Sequence, residues 1–125
     1  MREIVFIGIG GACGAILRFL FSRFIQGLWS FTFPMGTLVV NMVGAFLMGF
    51  LSLIIFERVA AFNVELRALL LIGLLGGFTT FSTFAWESIN LWQNDEWLKM
   101  VVYIFLSVGF SLFAIWGGMT LARKL

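Results

Sequence analysis

The residues best placed to do chemistry lie in one segment, 73–84, which contains a glycine pair, Gly76-Gly77. Adjacent glycines followed by short hydroxyl side chains form helix poorly, because glycine is flexible and hydroxyls compete for the backbone. The hydroxyl residues that follow the pair are Thr79, Thr80, Ser82 and Thr83. A helix broken here would present carbonyls to cations and amide N–H groups to anions. The alternative is a packing notch in a continuous helix whose hydroxyls bond back to their own turn.

Polar and aromatic residues elsewhere favour the first interpretation. Asn41 lies among apolar residues, where its amide needs a partner. Ser107 and Ser111 are four residues apart and share a helix face with which Ser82 and Thr83 could form a polar track. Phe81 and Phe84 are three apart and also share a face. Each feature alone is typical of packing, but together they indicate a path for an ion.

Several function classes are excluded by missing residue types. The chain has no His and one Cys, Cys13, so a Ser-His-Asp triad, a haem histidine and an intrachain disulfide cannot be built. The basic residues are scattered and form no stripe for nucleic acid. We therefore expect neither an enzyme nor a nucleic-acid-binding protein.

The elements that must position these residues are membrane helices. Of 125 residues, 62% are hydrophobic and 11% charged, less than half the usual charged fraction of a soluble domain. Apolar runs predict four transmembrane helices at about 4–22, 34–56, 67–92 and 98–122, so that 1–125 is a single all-α transmembrane domain in a lipid bilayer. The glycine pair falls within the third span, which predicts a break near the bilayer midplane that protein or a wet cavity must cover.

Four short helices leave little room for a pore, which predicts oligomerisation. Each span carries small residues four apart, a spacing typical of close helix contacts. These pairs are Gly10 and Gly14, Ala45 and Gly49, Gly73 and Gly77, and Ser107 and Ser111. An even number of spans puts both termini on one side. The distribution of Lys and Arg mildly favours cytoplasmic termini and does not exclude insertion in both orientations.

Charges within the spans favour an anion path. The first, second and fourth spans have no carboxylate between their ends, and Glu87 near the end of the third is predicted to be interfacial. Arg18 is a charge well inside a span. A small proton-coupled exporter of the four-helix multidrug type is the alternative, but it needs a buried carboxylate. A membrane subunit that transports nothing is a third class.

Three blocks of sequence resemble the Fluc (CrcB) family of fluoride channels over essentially the whole chain. The blocks are Gly10-Gly11-x-x-Gly14-x-x-x-Arg18, Pro34-x-Gly36-Thr37-Leu38-x-x-Asn41 and Gly76-Gly77-Phe78-Thr79-Thr80-Phe81-Ser82-Thr83-Phe84-x-x-Glu87. The resemblance implies an antiparallel, dual-topology homodimer with two pores, each lined by both subunits. It also implies that such a dimer passively conducts fluoride through the plasma membrane and so lowers cytoplasmic fluoride.

The resemblance also implies roles for individual residues. A structural sodium ion, which is not transported, is held by the backbone carbonyls of Gly76 and Thr79 from both subunits. Arg18 matches a basic residue of the aqueous vestibule, and Ile115 stands where some members have a further hydroxyl. The residues that match the family's anion pathway are Asn41, Phe81, Phe84, Ser82, Thr83 and Ser111.

Overall fold

Four long apolar helices make up most of the molecule. The structure is a computed structural model that describes residues 1–29, 32–58 and 63–125, so part of the predicted connection between the second and third spans, 59–62, lies outside the described residues. The spans are α1 (Arg2–Gly27), α2 (Met35–Arg58), a third span over Val64–Gln93, and a fourth over Trp97–Lys124. All four are long and apolar enough to cross a membrane, which confirms the predicted all-α, four-span architecture.

The third span is composite. It consists of α3 (Asn63–Leu66), a π-helix (Arg67–Leu75), α4 (Gly76–Phe78) and α5 (Phe81–Gln93), after which the fourth span forms α6 (Trp97–Lys124). The π-helix differs from the α-helix that the apolar pattern predicts. A π-helix closes its hydrogen bonds one residue later than an α-helix, and mean apolarity does not distinguish the two.

Proline and polar residues set the element boundaries. Pro34 immediately precedes α2, where its missing N–H costs nothing and its fixed φ suits a first turn. Between α5 and α6 the chain turns through Asp95, whose φ of 60° is tolerated by aspartate more readily than by bulky residues. Lys99 stabilises this turn through a 2.6 Å ion pair with Glu96, and the hydrogen bond from Lys99 lowers the pKa of the Glu96 carboxyl.

Glycines bring α1 and the third span into backbone contact. A Cβ atom added to Gly14 would overlap the Leu74 carbonyl oxygen and lie 2.9 Å from the Phe78 nitrogen. A Cβ atom on Gly77 would lie 2.6 Å from the Gly11 carbonyl oxygen. The α1 backbone is thereby held against α4, immediately before Thr79 and Thr80.

Candidate ion pathway

The helix of the third span stops at Phe78 and resumes at Phe81, and Asn41 binds the residue between. Thr79 (φ −83°, ψ 157°) and Thr80 (φ −151°, ψ 124°) are extended. The Thr80 N–H donates to Asn41 Oδ1 at 2.8 Å, and Asn41 Nδ2 donates to the Thr80 carbonyl at 2.9 Å. The side-chain amide of Asn41 therefore replaces the helical partners that Thr80 lacks. One of the two N–H donors of Asn41 is left for another acceptor.

The same hydrogen bonds release two carbonyls. In a continuous helix the amide of Thr80 would donate to the Gly76 carbonyl, and the amide of Thr83 to that of Thr79. The Thr80 amide donates instead to Asn41, and the Thr83 amide donates to Thr80 Oγ1 at 3.2 Å, which caps α5. The Thr79 carbonyl accepts a 3.4 Å hydrogen bond from Arg18 Nη1. Carbonyl oxygens released in this way are the ligands that a hard cation such as sodium takes, so the residues present fit such an ion.

An open cavity of about 360 Å³ lies beside the break. Its polar wall is formed by Asn41, Thr79, Thr80, Ser107 and Ser111, and its apolar wall includes Met48, Val108 and Ile115. Ser107 is 6% exposed, and among the described residues its hydroxyl makes no hydrogen bond. A desolvated hydroxyl facing a cavity is costly unless something in the cavity binds it.

The two predicted phenylalanines line the same cavity. The ring centroids of Phe81 and Phe84 are 5.6 Å apart, with the rings inclined at 52°. Phe84 also packs against Tyr103 at 5.2 Å, while Phe81 is 79% exposed. Phe84 is thus packed within the molecule, whereas Phe81 projects from its surface.

Of the remaining predicted residues, two lie in a second cavity on the other side of the break, and Ser82 lies at the surface. Thr83 and Arg18 line a second cavity of about 230 Å³, together with Ser22, Thr37 and Thr80. Ser82 is exposed, and its hydroxyl lies 3.4 Å from Thr80 Oγ1. The break therefore separates the cavity of Asn41 and Ser111 from the cavity of Thr83 and Arg18.

Sequence analysis missed a buried polar network around Glu87. Both carboxylate oxygens face inward: Thr37 Oγ1 donates to Oε1 at 2.8 Å and Tyr103 OH donates to Oε2 at 2.7 Å. Tyr103 is fully buried. One signal was available, since Tyr103, Ser107 and Ser111 follow one another at intervals of four on α6. The same face of α6 therefore carries the Tyr103 hydroxyl that binds Glu87 and the two serines that line the large cavity.

Comparison with known proteins identifies the class. A family model described as "CrcB-like protein, Camphor Resistance (CrcB)" matches residues 5–119. The chain belongs to the CrcB family, which confirms the resemblance found in the sequence. It is a multi-pass membrane protein of a channel family, so the prediction that it is not an enzyme is also confirmed.

Curated relatives carry the name fluoride-specific ion channel FluC. The relative from Rhizobium meliloti is 40% identical over 130 residues, covering 100% of this chain and 99% of its own. FluC 1 of Methanosarcina acetivorans is 44% identical and covers 100% of this chain and 94% of its own. A relative from Methylococcus capsulatus is 45% identical over 119 residues, and the chain spans 52% of that longer protein.

Proposed function

We propose that this protein is a passive, fluoride-selective channel of the plasma membrane that lowers cytoplasmic fluoride. The observation that carries the proposal is the cavity that brings together Asn41, Ser111 and the pair Phe81 and Phe84 in a chain 40–45% identical to proteins named fluoride channels. A proton-coupled exporter is not favoured, because Glu87, a carboxylate well inside the third span, has both oxygens engaged by the hydroxyls of Thr37 and Tyr103.

Fluoride is small and strongly hydrated, so the pathway must replace its water with donors. The free N–H of Asn41 and the hydroxyls of Ser107 and Ser111 supply such donors on the large-cavity side. Thr83 supplies a hydroxyl on the other side, in the cavity that also holds the positive charge of Arg18, and Ser82 supplies one at the exposed surface. The rings of Phe81 and Phe84 offer weakly positive edges, which suit an ion that must also leave.

The working unit that we propose is an antiparallel homodimer with both orientations in the membrane. The cavity is open, and Phe81 extends from the protomer beside it. Irregular backbone at membrane depth is tolerated only where protein or a wet cavity covers it, and a break near the midplane requires such cover. A second copy supplies the missing wall and completes two pores.

A structural sodium ion at the dimer centre is part of the proposal. The carbonyls of Gly76 and Thr79 would hold it, because the amides of Thr80 and Thr83 donate elsewhere and not to these carbonyls, as they would in a continuous helix. Bound there, the ion would supply a fixed positive charge that holds two protomers together and favours anions nearby. Its removal should lower the fraction of dimer measured by size-exclusion chromatography with light scattering.

The deciding experiment is fluoride efflux from liposomes that contain the purified protein. Vesicles loaded with potassium fluoride, with valinomycin to carry the counter-charge, are followed with a fluoride electrode. We expect rapid efflux without a proton gradient and unchanged efflux with an uncoupler. Efflux that requires a proton gradient would instead identify an exporter. Protein that assembles as a dimer but releases no fluoride would identify a non-transporting subunit.

A further inference from the structure

Arg18 and the proposed sodium ion share a ligand, the Thr79 carbonyl. Arg18 Nη1 donates to this oxygen at 3.4 Å across 61 residues of sequence. The side chain is half-buried, and it also lines the smaller cavity with Thr80 and Thr83. A positive charge from this chain therefore already lies at one of the two carbonyls that would bind the metal.

The fold fixes this contact. Gly14 lies one helical turn before Arg18. The third span passes so close to Gly14 that a Cβ atom added there would lie 2.9 Å from the nitrogen of Phe78. A side chain at position 14 would push the helices apart and withdraw the guanidinium from Thr79. The contact follows from helix packing, unlike that of Arg23, which is exposed and stacks over Phe19 at 5.4 Å.

We propose that Arg18 is a resident substitute for sodium: its guanidinium holds the Thr79 carbonyl when the ion is absent and is displaced from it when the ion binds. This inference rests on the proposed sodium site. Two unit positive charges a few Å apart repel one another even in a water-like dielectric and repel more strongly in a protein. Sodium therefore binds against Arg18, and Arg18 in turn keeps the released carbonyl satisfied in a protomer that has no ion.

The test uses the reactivity of the wild-type arginines. Full-length protein in detergent is treated with phenylglyoxal, an arginine-specific dicarbonyl, in sodium chloride or in N-methyl-D-glucamine chloride of equal ionic strength. Mass spectrometry then gives the modification rate at each arginine. We expect sodium to raise the rate at Arg18 by roughly fivefold, since displacement frees the guanidinium. The rate at Arg23 should stay unchanged. Equal or slower modification of Arg18 in sodium overturns the proposal.

Substitution gives an independent readout in the sodium concentration needed for half-maximal dimer formation. Arg18→Gln should lower that concentration by roughly fivefold, because the competing charge is gone. Arg18→Lys, which keeps the charge, should remain near wild type, and Arg23→Gln should not shift. An unshifted Arg18→Gln contradicts the inference. If the wild-type dimer does not respond to sodium at all, the sodium site fails as well, while fluoride efflux from the same preparation still tests the channel.

Discussion

Asn41 illustrates how one side chain can bind the backbone of a neighbouring span and still line a cavity. Its carbonyl oxygen and one N–H bind the two backbone groups of Thr80, and these bonds hold the interruption of the third span open. Its other N–H donor is free to face the cavity. The sequence indicated that Asn41 needs a partner, but it left open whether that partner was a helix or an ion.

Asn41→Asp should reduce fluoride efflux by about tenfold or more. A carboxylate has no N–H donor, so it repels the Thr80 carbonyl and the passing anion, and an unmet buried hydrogen bond alone costs about 1–3 kcal/mol. Efflux from liposomes measures the loss. Asn94→Asp makes the same change in the exposed turn after α5 and should conduct normally. Normal efflux through Asn41→Asp would remove Asn41 from the pathway.

The Glu87 network makes a second prediction at this scale. Tyr103→Phe removes the hydroxyl that donates to Glu87 Oε2, at a residue that is fully buried. This change should destabilise the protein by about 1–3 kcal/mol. Thermal unfolding in detergent measures this change. Thr120→Val is the matched control, because that hydroxyl bonds back to Trp116 of its own helix. A double-mutant cycle with Glu87→Gln should be non-additive, and full additivity would show that the two side chains do not cooperate.

At the scale of elements, close contact between α1 and the third span positions the site. Glycines at positions 10 and 14 face the backbone of residues 69–78 with no side chain between. The pattern of small residues predicted close helix contacts of this kind. The same spacing occurs on every span, however, so the sequence did not say which helix meets which.

Gly14→Ala should destabilise the protein by about 1–3 kcal/mol, because the new methyl group overlaps the Leu74 carbonyl. Gly8→Ala lies on the same helix with open space around its Cβ, so it should be neutral or slightly stabilising. Thermal unfolding of the two variants side by side checks the prediction. If the two variants had similar unfolding temperatures, α1 and the third span could move apart to admit the methyl group without loss of stability, and the prediction would be wrong.

The sequence predicted the elements well and their inner geometry only in part. Apolar runs define the four spans, because a membrane requires length and apolarity and little else. The sequence placed the interruption at the glycine pair, whereas Gly76 and Gly77 are helical and the extended residues are Thr79 and Thr80. Their position is set by Asn41, which lies 39 residues away. The inward orientation of Glu87 also depends on two distant hydroxyls, so local pattern could not reveal it.

At the scale of the whole molecule, the basic residues are only mildly biased toward one side of the predicted membrane. The chain carries eight basic and six acidic residues, most of them in its loops and near the ends of its spans. Orientation follows the bias of Lys and Arg in short loops, and a weak bias lets a chain insert either way. An antiparallel dimer requires that the chain insert into the membrane in both orientations.

Dual topology predicts that both ends of the chain are found on both faces of the membrane. In a Cys13→Ser background, Leu125→Cys should react with a membrane-impermeant maleimide in about half of the molecules in sealed cells, and in the rest only after permeabilisation. Glu3→Cys should give the same proportion, since four spans put both termini on one side. Complete labelling or complete protection would establish a single orientation and contradict the antiparallel dimer.

The exposed Phe81 and the open cavity beside it have a consequence for how cells use this protein. If each pore is finished only by a second copy, a subunit made alone in a sparsely populated membrane is inert until two such subunits meet. Tolerance to fluoride would then rise with roughly the square of gene dosage at low expression. It would rise linearly once most subunits have found a partner.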